Sequence, residues 1–133
     1  MDNIKVMLVD DEVHFVETLE KRLGKRGFEV CATSSGEEAL EKLHDFDADV
    51  VVLDVKMPGM DGIAVLNQIK TQWPLMEVVM LTGHASVEVA IRGMELGAFD
   101  YLMKPMEFQD LIYKVEDAAK QKRLKERKIS RTG

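Results

Sequence analysis

Five short apolar runs recur along the chain, each followed by a longer stretch of helical period, and this alternation limits the fold more than any other feature. The runs are Lys5–Val9 (KVMLV), Phe28–Ala32 (FEVCA), Val50–Leu53 (VVVL), Val78–Leu81 (VVML) and Tyr101–Met103 (YLM). Their near-continuous hydrophobicity, without strict polar alternation, suits strands covered on both faces. The apolar positions that follow them are Phe15, Leu19 and Leu23; Ala39, Leu40 and Leu43; Ile63, Leu66 and Ile69; Val87, Ile91, Met94 and Leu96; and Phe108, Leu111, Ile112, Val115 and Ala119. The last set keeps the i, i+3, i+4, i+7 spacing of one helix face. Gly24 or Gly27 and Gly97 fit helix terminators, Ser34 or Ser35 a cap, and Trp73-Pro74 a stop after the third helix. A (βα)5 chain with short connections forces a parallel sheet with right-handed crossovers. The expected fold is therefore an α/β, doubly wound, three-layer sandwich around a five-stranded sheet.

With 133 residues, 46% of them hydrophobic, the chain fits one domain with a core of its own. No apolar run approaches the roughly 18 residues of a membrane span. The opening MDNIKVMLVDDE lacks the basic stretch and small-residue cleavage site of a signal peptide, so the expected location is the cytoplasm. Cys31 is the sole cysteine, which excludes an internal disulfide and a cysteine-based zinc site; it reads as a small buried residue. Charge is unevenly divided: residues 1–119 carry 11 Lys and Arg against 23 Asp and Glu, whereas residues 120–133 carry 7 against 1. An acidic body repels the phosphate backbone, so nucleic-acid binding by the body itself is not expected.

In doubly wound folds ligands bind outside the carboxyl ends of the strands, near the switch point in strand order. The residues that follow the runs are Asp10 and Asp11, Asp54, Thr82 and Lys104, with Thr33 and Ser34 after the second run read as loop and cap. Each alone has an ordinary explanation: Asp10 or Asp11 as the cap of the first helix, Asp54 as a turn former, Thr82 as a cap of the fourth helix, Lys104 as a solvated lysine. Taken singly, these explanations leave their convergence on one rim unaccounted for. Three carboxylates brought together repel, so a cation is required; Lys104 offsets one charge and a divalent ion the rest. The donors are hard oxygens with no His or Cys pair beside them, which favours Mg2+ over zinc. A carboxylate next to such an ion, ringed by lysine and threonine donors, suits in-line phosphoryl transfer to Asp54 as an aspartyl phosphate. Pro58-Gly59 lets the following loop curl back so that a carbonyl faces the ion, and Asp61 precedes the third helix as its cap. Competing phosphate machinery is missing: there is no GxxxxGK[ST], and Asp-Asp stands where a dinucleotide fold places GxGxxG. A nucleophilic-aspartate phosphatase of the haloacid-dehalogenase kind wants a second carboxylate where this chain has Lys56, which leaves a Mg2+-dependent phosphatase as the weaker alternative.

The segments LVDDE, VVLDVKMPGMDG, VVMLTGHA and FDYLMKP, within roughly residues 4–119, resemble the receiver domain of two-component response regulators. That resemblance implies a flavodoxin-like sandwich with strand order 2-1-3-4-5. It implies a phosphoryl group passed to Asp54 from a sensor histidine kinase, a phosphotransfer protein or a small phosphodonor. Asp11 and Asp54 would bind Mg2+ directly, Asp10 through water, and the backbone carbonyl of Lys56 would complete the protein ligands. Thr82 and Lys104 would bind the phosphoryl oxygens, Tyr101 would be the switch aromatic, and the Lys104–Pro105 bond would be cis. Adding about two negative charges at Asp54 draws the Thr82 hydroxyl inward and lets Tyr101 rotate into the vacated space. The altered face would be the fourth helix, fifth strand and fifth helix, where a partner or a second copy docks. Lys56 and His84, two residues after Asp54 and Thr82, flank the path of hydrolytic water and are expected to set the lifetime of the phosphoryl group. His14 and His44 read as surface residues, and Met57 and Met60 as lining the mouth of the site. The protein so described is a switch that catalyses its own modification and its loss, not an enzyme acting on outside substrates.

Residues 1–119 form the receiver unit in this reading. Residues 120–133, KQKRLKERKISRTG, keep a helical composition but lose most of the apolar stripe, so they read as a basic helical extension or linker to an output domain. A coiled-coil dimer or a frayed terminus are the alternatives. The wording LTGHASVEVAIRGMELGAFDYLMKP resembles receivers joined to ATPase-type or helix-turn-helix transcription regulators, which makes transcription control the expected output. A stand-alone receiver acting by protein contact is the rival.

Overall fold

The computed structural model describes residues 3–57, 60–83 and 87–132. Along the chain these form β1 (Lys5–Val9), α1 (Val13–Lys25), β2 (Glu29–Thr33), α2 (Gly36–Lys42), β3 (Val50–Asp54), β4 (Lys56–Met57) and β5 (Met60–Asp61), followed by α3 (Gly62–Gln72), β6 (Glu77–Thr82), α4 (Val87–Glu95), β7 (Asp100–Met103) and α5 (Phe108–Thr132). The main sheet has five strands in the order β2-β1-β3-β6-β7, every neighbour parallel. The expected order is thus observed; the addition is a small antiparallel pair, β4 with β5, in the loop after Asp54.

Apolar alternation within each strand explains the layering. Met7, Val9, Val51, Leu53, Val78 and Met80 point to one face, where they pack with Ala39 and Leu43 and with Val65, Leu66 and Ile69 of α3. Val6, Leu8, Val50, Val52, Val79 and Leu81 point to the other, against Val16, Leu19 and Leu23 of α1 and Leu111, Ile112 and Val115 of α5. The central strands β3 and β6 are buried along their whole length, as a sheet covered on both sides requires.

The caps are largely those the sequence indicates. Ser35 accepts a hydrogen bond from Glu38 N–H to start α2, and Asp61 accepts one from Ile63 N–H to start α3. Gly27 and Gly97 hold φ of +92° and +103°, the left-handed turn that ends a helix, whereas Gly24 lies inside α1. Strand boundaries shift by a residue or so: β2 begins at Glu29 and takes in Thr33, β3 takes in Asp54, β6 spans Glu77–Thr82 and β7 starts at Asp100. Cys31 is half-buried rather than enclosed, because β2 is an edge strand.

One expectation needs larger correction. The stripe Val87, Ile91 and Met94 does not face the core: these residues are 59%, 56% and 40% exposed. Helix α4 instead rests on its small face, Ala90 and Gly93, which lets its backbone lie against Met80 and Leu66. Residues 120–132 are helical, as the helical-extension reading has it. They continue α5 without a break, and Lys122, only 6% exposed, reaches Asp49 Oδ1 at 3.2 Å. Lys125 reaches Glu77 Oε2 at 3.3 Å, and Arg123 lies 3.6 Å from Asp49 Oδ2. The basic tail thus neutralises acids that the sheet buries next to the amino-terminal ends of β3 and β6. Among the described residues no helix is long and apolar enough to cross a membrane.

Candidate functional site

Strand order reverses between β1 and β3, and the carboxyl ends of those two strands carry Asp10 and Asp54. Asp10 is 4% exposed and fixed on both sides. Its N–H donates to Thr33 O at 3.2 Å, while Thr33 Oγ1 donates to Leu8 O at 2.8 Å, so Thr33 ties β2 to the end of β1. Asp10 Oδ1 accepts from Glu12 N–H at 2.9 Å. Asp54 is 6% exposed, and its Oδ1 accepts from Lys56 N–H at 3.0 Å, which turns the carboxylate toward the rim. The following loop packs closely: a Cβ on Gly62, the first residue of α3, would meet Val55 Cα at 2.5 Å, so only glycine admits this approach.

Lys104 enters from the far side of the sheet. Its N–H donates to Thr82 O at 2.7 Å, extending the β6–β7 ladder by one bond, and the Lys104–Pro105 bond is cis. Its ammonium donates to Asp10 Oδ2 at 2.7 Å and Glu12 Oε1 at 2.9 Å, and stands 3.5 Å from Asp54 Oδ2. The Phe15 ring lies 4.4 Å from Nζ, a cation–π contact. Burial pushes the Asp54 carboxyl above the usual carboxylate value; the Lys56 N–H and the Lys104 charge pull it down and the Asp10 charge raises it again. Burial works to lower the Lys104 pKa, yet hydrogen bonds to Asp10 and Glu12, with the charges of Asp10 and Asp54, carry it above the ordinary lysine value.

One carboxylate oxygen from each of Asp10, Glu12 and Asp54 lies within 4.8 Å of the others. An all-oxygen, acidic donor set fits a hard divalent ion such as Mg2+. Asp11, expected as a direct ligand, is exposed and stands outside this group; Glu12, which the sequence reading passed over, stands inside it. The signal for Glu12 was present in LVDDE as a third consecutive acid. Thr82 is 2% exposed at the end of β6, beside the Asp54–Leu81 pairing, so its position joins the same rim. Lys56 is exposed. Pro58, Gly59, His84 and the proposed capping of α4 by Thr82 lie outside the described residues, as do the side chains of Met57 and Met60. His14 is exposed, as is His44, which stacks edge-on against Trp73 at 5.2 Å.

Thr82 and Gly83 also line a cavity of about 410 Å³ formed mainly by Val87, Ala90, Ile91 and Met94 of α4 and Tyr101 and Met103 of β7. Tyr101 is 41% exposed at this cavity.

Residues 6–116 match the family model of the response regulator receiver domain. The chain belongs to that family. The receiver is 39% identical over 117 residues to Transcriptional regulatory protein ZraR of Escherichia coli (strain K12), a match covering 88% of this chain and 26% of that protein. It is 38% identical over 113 residues to DNA-binding transcriptional regulator NtrC of the same organism, covering 85% of this chain and 24% of NtrC. The crystal structure of a response regulator receiver domain protein from Clostridium thermocellum superposes with a TM-score of 0.87 at 37% identity, covering 91% of this chain and 98% of that one. The receiver thus spans about a quarter of the length of these curated relatives.

Proposed function

We propose that this receiver is a phosphorylation-dependent switch whose phosphoacceptor is Asp54, charged by a phosphohistidine of a sensor kinase or phosphotransfer protein in the cytoplasm. The observation that carries the proposal is the buried Asp54 carboxylate at the switch point, with one oxygen held by Lys56 N–H at 3.0 Å and the other 3.5 Å from the Lys104 ammonium. A fixed, poorly solvated carboxylate is a ready nucleophile, and Lys104 is placed to meet charge that gathers on the phosphoryl oxygens. Thr82, at the end of the neighbouring strand, would supply a hydroxyl donor to the same oxygens. Asp10, Asp54 and either Asp11 or Glu12, with the Lys56 carbonyl, would hold Mg2+, which when bound offsets the negative charge of donor and acceptor. Burial of Asp54 disfavours its charged form, a cost that a bound cation would offset.

Signal output would run through α4, β7 and α5. The exposed Val87, Ile91 and Tyr101 surround the cavity beside Thr82, so an inward shift of Thr82 gives the Tyr101 ring space to follow and changes the apolar surface offered to a partner or second copy. By analogy with the transcriptional regulators ZraR and NtrC, the output would be control of transcription through a separate DNA-binding domain, with no nucleic-acid contact by the receiver itself. Lys56 and His84 would tune phosphoryl lifetime.

The test is acetyl phosphate with and without Mg2+, read by intact-protein mass spectrometry. One phosphoryl group per chain, dependent on Mg2+ and absent from Asp54→Asn, supports the switch. Many turnovers of a soluble phosphate ester without a protein-bound intermediate would instead support a phosphatase.

A further inference from the structure

Glu12 occupies the N-cap position of α1 but makes no side-chain capping hydrogen bond. The short side chains of Ser, Thr, Asp and Asn cap there, whereas the longer glutamate is free to reach past the helix end. Here its Oε1 accepts from Lys104 Nζ at 2.9 Å, the same ammonium that Asp10 Oδ2 holds at 2.7 Å. Asp54 Oδ2 is the most distant of the three acceptors, at 3.5 Å, beyond a good hydrogen bond. The two strong contacts of Lys104 therefore draw it away from the phosphoacceptor.

We propose that Glu12 is a positioning residue that holds the Lys104 ammonium back from Asp54 in the resting receiver, so that phosphoryl uptake must first break the Glu12–Lys104 contact. The proposal rests on Asp54 being the phosphoacceptor. With acetyl phosphate as donor, an Asp54 carboxylate oxygen forms the new bond to phosphorus, the bond from phosphorus to the acetyl oxygen breaks, and acetate leaves with that electron pair. Lys104 is needed at the phosphoryl oxygens as this happens. A contact made in the ground state and lost in the transition state raises the barrier. Once Asp54 carries the phosphoryl group, its oxygens compete for Lys104, and hydrolysis starts from a state in which Glu12 is already disengaged. Uptake and hydrolysis should respond unequally to loss of Glu12. The Glu12 side chain is 61% exposed, so the contact is screened by water and its removal should speed uptake only about two- to five-fold.

The experiment compares the wild-type chain with Glu12→Gln and Glu12→Ala. It measures uptake from acetyl phosphate at saturating Mg2+, hydrolysis of the isolated phosphoprotein, thermal stability, Mg2+ affinity by calorimetry and Mg2+-free crystal structures. The expected result is faster uptake in both variants, a smaller change in hydrolysis, and Lys104 Nζ nearer to Asp54 Oδ2 than the present 3.5 Å. Unchanged uptake with Lys104 in place overturns the proposal. So does slower uptake with weakened Mg2+ binding, which would make Glu12 a ligand of the ion, and so does a change in stability without any split between uptake and hydrolysis. Failure of the wild-type chain itself to take up a phosphoryl group would instead refute Asp54 as phosphoacceptor.

Discussion

Replacing Lys122 with methionine isolates the charge that ties the tail to the body. The methionine side chain keeps most of the apolar stem that covers the base of the sheet, and only the ammonium is lost. Asp49 is 8% exposed, with Oδ1 on Lys122 at 3.2 Å and Oδ2 on Lys5 N–H at 2.8 Å. Breaking a buried pair by deleting one partner costs about 3–5 kcal/mol. Asp49 keeps the Lys5 N–H, and Arg123 at 3.6 Å still faces it, so the expected loss is lower, about 2 kcal/mol. In a domain of this size that lowers Tm by roughly 6–10 °C. Urea unfolding followed by the fluorescence of Trp73, which shares a small cavity with Lys122 and Glu126, measures it directly. Burial would lower the Lys122 pKa, but the charge and hydrogen bond of Asp49 hold it above 10.5. A raised lysine pKa stabilises the native state fully below the unfolded value, and that stability is lost as pH rises through the folded value. The gap between wild type and Lys122→Met should therefore be constant near neutrality and close only above about pH 10. A loss under about 0.5 kcal/mol, or Asp49→Asn costing the same in both backgrounds, would refute the clamp.

Asp54→Asn should stabilise the Mg2+-free protein, because a carboxyl whose pKa is raised by burial penalises the native state once pH exceeds its ordinary 3.8; unchanged or lower stability in urea at pH 7 would contradict this. Gly62→Ala should cost about 1–3 kcal/mol, since the new Cβ meets the Val55 backbone, and more than Gly93→Ala, where the obstacle is the flexible Met80 side chain; paired thermal denaturation gives the order. Lys104→Ala should slow uptake from acetyl phosphate about 100-fold while the protein stays folded, checked by circular dichroism; a change under about three-fold would remove Lys104 from the chemistry.

The sheet was legible because burial on both faces leaves little choice: VVVL and VVML read as strands from composition alone, and Asp10, Asp54, Thr82 and Lys104 then fall on one rim by topology. What stayed hidden depended on distances that no pattern encodes. Helix α4 shows why, since Val87, Ile91 and Met94 have the spacing of a core face but yield it to Ala90 and Gly93, whose small size permits closer packing. Glu12 stands in plain view as a third consecutive acid, but only the path of the Lys104 side chain reveals its partner. The partners of the tail were hidden for a related reason. Lys122 and Lys125 break an apolar stripe, yet they meet Asp49 and Glu77, residues 73 and 48 positions away in the chain.

The most direct measurement is a crystal structure of the chain with Mg2+ and beryllofluoride, which mimics a phosphoryl group on Asp54. The account predicts beryllofluoride on an Asp54 oxygen, Mg2+ among the neighbouring acidic side chains, Lys104 released from Glu12 onto a fluoride, and Thr82 turned toward another. An Asp54 carboxylate left bare, with Lys104 still bonded to Asp10 and Glu12 at saturating beryllofluoride, would contradict it.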